Sequence, residues 1–149
     1  MKLKQISVFL ENRQGQLSHA CRALARAGVN INALSLADTR QFGVLRMLIR
    51  DHDRAVIALQ ADGFVVRVTD VVAVDVPDRP GGLADVLETV EAAGINVEYM
   101  YAVTHRTEEK GMMVFRFEDP DGAATLLRDA GFDVVPDAEL ARRTDTAKD

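Results

Sequence analysis

Two hydrophobic periods take turns along the chain. Ile6, Val8 and Leu10 alternate with Gln5, Ser7 and Glu11, the period of a half-buried strand, and Phe9 puts an aromatic ring on the opposite face. Leu17, Ala20, Cys21 and Leu24 then recur at i, i+3, i+4 and i+7, which is one face of a helix. Gly28 follows where a left-handed residue would stop that helix. Strand periods return at 30–37 and 43–50, with Leu45, Met47 and Ile49 pointing one way. A short helix is predicted from Asp53 to Asp62, with Ala55, Ala58 and Leu59 inward and Gly63 at its end. Residues 64–68 and 71–76 read as two further strands, separated only by Thr69-Asp70.

The same order then repeats. A shift of 66 positions carries Asn12-Arg13-Gln14-Gly15-Gln16-Leu17 onto Asp78-Arg79-Pro80-Gly81-Gly82-Leu83, and Ala27-Gly28-Val29-Asn30-Ile31 onto Ala93-Gly94-Ile95-Asn96-Val97. The helix face recurs as Leu83, Val86, Leu87 and Val90. Further on the shift becomes 68, matching Gly43 with Gly111 and Gly63-Phe64 with Gly131-Phe132, so two residues are inserted within 104–110, read as a hairpin loop. Met113, Phe115 and Phe117 answer to Leu45, Met47 and Ile49, and Ala123, Leu126 and Leu127 answer to the second helix. The chain is therefore two copies of one unit, 1–69 and 70–136, followed by a polar C-terminal tail, 137–149, in which Ala141 to Asp149 are expected to be frayed or disordered. Each unit reads strand, helix, strand, strand, helix, strand. That order predicts an α+β fold of two ferredoxin-like units in tandem, each an antiparallel sheet with helices on one face. The two-residue junction predicts units packed side by side without a flexible linker.

Composition narrows the function. Units of about 70 residues are marginal alone. The 48% hydrophobic content includes no run long enough to span a membrane as a helix. Met1 leads directly into a strand period, so no signal peptide is expected. A single cysteine cannot form an internal disulfide, which suits a cytoplasmic setting. A net charge of −5 without a basic cluster argues against a nucleic-acid surface.

The chemistry concentrates at Asp78-Arg79-Pro80-Gly81-Gly82-Leu83. Pro80 fixes φ, the glycines allow a sharp turn, and the first amides of the following helix lack intrahelical partners and favour a carboxylate. Arg79 is expected to face solvent or to pair locally with a carboxylate. Other candidates read as structure. Cys21 sits on a buried helical stripe, opposite Leu87 in the repeat, as a core thiol. His19, His52 and His105 share neither metal-ligand spacing nor a face and read as surface residues. Asp119-Pro120-Asp121-Gly122 is too short for a calcium loop and reads as a helix-initiating turn. Gly81-Gly82 matches neither a P-loop nor a dinucleotide fingerprint, and Tyr99 and Tyr101 are expected in the core.

The βαββαβ order, the loop of form Asn/Asp-Arg-Pro-Gly-x-Leu and the Gly-Val/Ile-Asn-Ile/Val after the first helix together resemble the ACT domain, here in two copies over about residues 1–136. The resemblance implies a small regulatory module that works with enzymes of amino-acid metabolism, needs no cofactor and binds an amino acid between two such units. It places the contacts at Asn12, Arg13, Gly15, Leu17 and Asn30, and at Asp78, Arg79, Gly81, Gly82, Leu83 and Asn96. The helix-start amides would take the carboxylate, and Asn12, Asp78, Asn30 or Asn96 the ammonium. Gln14 departs from the pattern, leaving the first loop less constrained, so the second loop is expected to hold the better site. Serine-binding members carry a His where this chain has Leu10 and Val76, which turns the expectation to an apolar amino acid. The expected partners are that amino acid and an enzyme of amino-acid metabolism, with a homodimer among the expected states. The alternative is an assembly subunit that binds nothing and oligomerises through its open sheet face. No cluster combines a nucleophile, a base and an oxyanion site, so an enzyme is not expected.

Overall fold

The structure, a computed structural model, describes residues 2–106 and 109–145, without the side chains of 104–106, 144 and 145. Twelve elements follow in order among the described residues: β1 (Leu3–Glu11), α1 (Gln16–Arg26), β2 (Ala33–Asp38), β3 (Phe42–Leu48), α2 (His52–Ala61), β4 (Val65–Pro77), α3 (Gly82–Ala92), β5 (Val97–Arg106), β6 (Lys110–Phe117), α4 (Pro120–Asp129), β7 (Asp133–Val135) and α5 (Asp137–Asp145). They form two compact units, Lys4–Thr69 and a second made of the residues from Asp70 onward together with Lys2 and Leu3. These are two ferredoxin-like units in tandem.

In the first unit β3 lies antiparallel between β1 and β2, with Leu10 opposite Gly43 and Gln5 opposite Leu48. The strand period does the sorting. Ile6, Val8 and Leu10 from β1, Leu45 and Met47 from β3 and Ile49 just after it meet Ala20, Ala23 and Leu24 of α1 and Ala55 and Leu59 of α2 in one core. Leu17 does not join them: it is 41% exposed, because it sits in the first turn, before α1 has descended onto the sheet. Ala23 takes its place on the buried face, and Cys21 is half-buried at the flank instead of in the core.

In the second unit β6 lies between β5 and β4, and β7 pairs with the other edge of β4. Val72, Val74, Val76, Phe115 and Phe117 pack under Val86 and Val90 of α3 and Ala123, Ala124 and Leu127 of α4. Phe115 and Phe117 stack with ring centroids 5.2 Å apart. Tyr101 is buried as expected, whereas Tyr99 is only half-buried. β5 runs to Arg106, so the expected hairpin loop at 104–110 is mostly strand, and Thr107 and Glu108 lie outside the described residues.

Two expectations are corrected. Thr69-Asp70 does not separate two strands; β4 is one strand of 13 residues that passes from the first unit into the second. Thr69 is β-branched and favours extended backbone, and the apolar residues 71–74 that follow carry the strand past Asp70. The polar segment after Pro136 is the helix α5 for as far as it is described. Its stability comes from charge at helical spacing, with Glu139 accepting from Arg142 (2.6 Å) and Arg143 (2.8 Å).

The second helix of each unit starts on an aspartate, as the repeat requires. Asp51 accepts from the N–H of Arg54 at 3.4 Å and Asp119 from that of Gly122 at 3.0 Å, which confirms the helix-initiating turn. Asp51→Ala and Asp119→Ala should each cost about 1 kcal/mol, read from urea unfolding midpoints. At the other end of the chain, hydrogen bonds from Arg142 and then Arg143 hold the Glu139 carboxyl down to about 2. A depressed folded value means the carboxylate stabilises fully above its unfolded range and loses that contribution as pH falls through about 2. Glu139→Gln should therefore flatten the acid limb of stability between pH 4.5 and 2, measured by circular dichroism.

Candidate ligand-binding site

The first helix of each unit begins differently from the second. Gly15 precedes α1 at φ 90° and Gly81 precedes α3 at φ 84°, and neither offers a side chain to cap the helix. A positive φ turns the chain from strand to helix within a few residues, and only glycine adopts it without strain. Gln16 and Gly82 donate back to the carbonyls of Arg13 (3.3 Å) and Arg79 (3.0 Å). The next two N–H groups, of Leu17 and Ser18 or of Leu83 and Ala84, meet no protein acceptor among the described residues. Both loops reach this geometry although Gln14 stands where the second has Pro80. They differ one residue on. A Cβ on Gly82 would lie 2.1 Å from the Pro77 carbonyl oxygen, while the equivalent residue of the first loop is Gln16.

Each loop is tied to the hairpin beside it. Asn12 N–H donates to the Gln41 carbonyl at 2.9 Å, and Asp78 N–H to that of Glu109 at 2.8 Å. The side-chain amide of Asn12 also donates to the carbonyls of Thr39 (3.4 Å) and Arg40 (3.3 Å), so it holds the hairpin and leaves Oδ1 as the acceptor. Asn30 and Asn96 are exposed at the far ends of their sheets. The Asn96 carbonyl accepts from Glu118 N–H at 3.0 Å, so Asp78 and Asn96 flank opposite ends of the eight-residue β6. At the rise of an antiparallel strand those ends are about 25 Å apart. β3 separates Asn12 from Asn30 in the same way. Neither unit by itself brings its loop to its Asn.

A cleft of ≈ 460 Å³ opens beside the first loop. Phe9, Phe42, Phe64 and Val65 give it apolar lining, and Glu11, Arg13, Gln16, His19 and Asp62 give it polar lining. Phe42 is 56% exposed and Val65 66%. Arg13 pairs with Glu11 at 2.8 Å, but both are well exposed, and such a pair is readily exchanged for a ligand carboxylate. His19 does more than face solvent: Nε2 lies 3.2 Å from Asp62 Oδ2, and its ring meets Phe64 edge-on at 4.9 Å. His52 begins α2 beside Asp53, and the side chain of His105 lies outside the described residues.

The repeat-equivalent positions of the second unit carry opposite chemistry. Asp75, Lys110 and Asp133 stand where the first unit has Phe9, Phe42 and Val65, and Asp85 stands for His19. Arg79 is engaged by Asp85 at 2.9 Å, the local pairing expected of it. Lys110 is paired with Asp133. Leu83 packs half-buried against the core below.

A family model described as the ACT domain pair matches residues 1–144. The chain belongs to the ACT domain pair family. This ACT pair is similar to protein BT0572 from Bacteroides thetaiotaomicron, a crystal structure 36% identical to it over 94% of this chain and 96% of that one, with a TM-score of 0.86. It has the fold of the regulatory subunits of aspartate kinase from Thermus thermophilus (18% identity, TM-score 0.62, covering 86% of this chain and 92% of that one) and Thermus flavus (17%, 0.61, 85% and 91%). No curated protein matches.

Phe9, Phe42, Phe64, His19 and Asp62 were absent from the residues expected at a site in this ACT pair. A signal for four of them lay in the repeat itself, since 9, 42, 19 and 62 are positions where the copies disagree. Phe64 matches Phe132 and could be found only through its neighbours. The glycines give a direct test of loop geometry. Gly82→Ala should cost about 3 kcal/mol by forcing backbone apart. Gly15→Ala, strained in φ but with nothing within 4 Å of the new Cβ, should cost about 1–2 kcal/mol by the same denaturant titration.

Proposed function

We propose that this ACT pair senses an amino acid with an apolar side chain in the cleft beside the first loop, and so regulates an enzyme of amino-acid metabolism. The observation that carries the reading is the composition of that cleft, which combines an exchangeable guanidinium with phenyl rings. The ligand carboxylate displaces Glu11 from Arg13 beside the glycine-capped start of α1, while its side chain lies against Phe9, Phe42 and Phe64. The regulatory part of the proposal is supported by the fold shared with the aspartate kinase regulatory subunits. The second loop was expected to bind better. Its arginine is already engaged by Asp85 and its surroundings are charged, so the preference moves to the first loop.

A second reading has one observation in its favour. β2 is an edge strand, and Leu34 and Leu36 on it are each 49% exposed, as an assembly surface would be.

A thermal-shift panel of the twenty amino acids separates the two readings. A ligand at one hundred times its Kd adds about 2.7 kcal/mol of stability. Valine, leucine, isoleucine, methionine or phenylalanine should respond, and silence across the panel favours assembly. With the responding amino acid, calorimetry on Arg13→Gln should show affinity reduced about tenfold, a loss near 1.4 kcal/mol, while Arg79→Gln binds as the parent does. The reverse order would move the site to the second loop.

A further inference from the structure

α5 is attached to its unit in an unusual way. Leu140, 7% exposed, is its one buried side chain among the described residues, whereas α3 and α4 each bury several. The principal polar attachment is Arg143. Its Nη1 and Nη2 donate to Asp75 Oδ1 and Oδ2, both at 2.9 Å, and its Nε donates to Glu139 Oε1 at 2.8 Å. Asp75 interrupts the otherwise apolar run Val71–Val76, and its carboxylate is 8% exposed. It alternates with the core residues Val74 and Val76 and so faces away from α3 and α4. The sheet face expected to be open is thus covered by α5 at this point.

A buried carboxylate that loses the guanidinium bonded to it is normally stranded at a cost of several kcal/mol. Here it is not stranded. Asp75 lines a cleft of ≈ 650 Å³, walled by Lys110, Asp133 and Pro136 on one side and by Glu139 and Arg143 of α5 on the other. If α5 moves away, water reaches Asp75 through that cleft and rehydrates it. The base of the helix is also light, since β7 is three residues long and the chain leaves it through Pro136. An element with little apolar contact and a solvent-backed anchor opens at lower free energy than the core it rests on.

We propose that α5 is a releasable strap, latched by Arg143 on Asp75, that opens and closes the cleft between itself, β6 and β7. The same cleft includes Glu109, whose carbonyl holds the Asp78 N–H, so the strap works next to the second glycine loop. The first unit has no such strap. Phe9 replaces Asp75 there, and after Val65 the chain continues along β4 instead of turning into a helix.

Residue-resolved amide exchange on the full chain tests this. In the parent, α5 amides should exchange at least about tenfold faster than those of β4 and β6. Arg143→Gln should speed α5 by about a further tenfold and leave β6 unchanged, with Arg143→Lys, which keeps charge but not the bidentate grip, in between. Asp75→Asn should match Arg143→Gln, and the double variant should add nothing to either. If α5 exchanges in step with β4 and β6, or if Arg143→Gln leaves its exchange unaltered, the strap does not exist. Should Asp75→Asn fail to fold, the two Arg143 variants decide alone.

Discussion

Every α-helix begins with N–H groups that its own turns cannot satisfy, and each unit of this protein settles that debt in two ways. At α2 and α4 an aspartate side chain accepts from one N–H of the first turn and sets its own negative charge there. At α1 and α3 a left-handed glycine takes the corner and supplies no acceptor. The reason is steric before it is functional. The strand must reverse into the helix within four or five residues, and at Gly82 even a methyl group would meet a carbonyl oxygen. The asymmetry gives each unit one helix start occupied by a carboxylate, which repels an anion, and another with no capping side chain. The loop–hairpin hydrogen bonds at Asn12 and Asp78 keep that end in place.

Duplication supplied this end twice, and the two copies then took different chemistry. Around the first loop phenylalanines line a cleft and the nearby ion pairs are exposed. Around the second, Arg79 with Asp85 and Lys110 with Asp133 neutralise one another, and Arg143 comes from a distant helix to neutralise Asp75. The backbone is common to both copies, and the difference lies in side chains. One copy presents surface that gains by covering an apolar ligand, and the other presents surface whose charges are already matched.

Local periodicity made much of this readable in advance. The strand order, the glycine corners and the turn at Asp119 all depend on residues within a turn or two of one another, and the repeat is two such patterns in the same order. What escaped depends on contacts that sequence spacing does not carry. Leu17 keeps the helical period but lies too early in α1 to reach the sheet. Arg143 and Asp75 are 68 positions apart, so the charged segment after Pro136 gave no sign of its anchor. Asn12 and Asn30 were both picked out correctly as repeat residues, but nothing in their spacing says that the length of β3 lies between them.

β1 starts at Leu3, which groups with the residues from Asp70 onward, and continues into the Lys4–Thr69 unit, while β4 runs unbroken across the Thr69–Asp70 boundary. The two copies therefore have no point of separation that spares a strand. A cut at the boundary would divide β4 itself, and Leu3 would go with a different unit from the rest of β1. The halves diverge in side chains, as at Phe9 and Asp75, while the backbone that joins them stays one continuous strand.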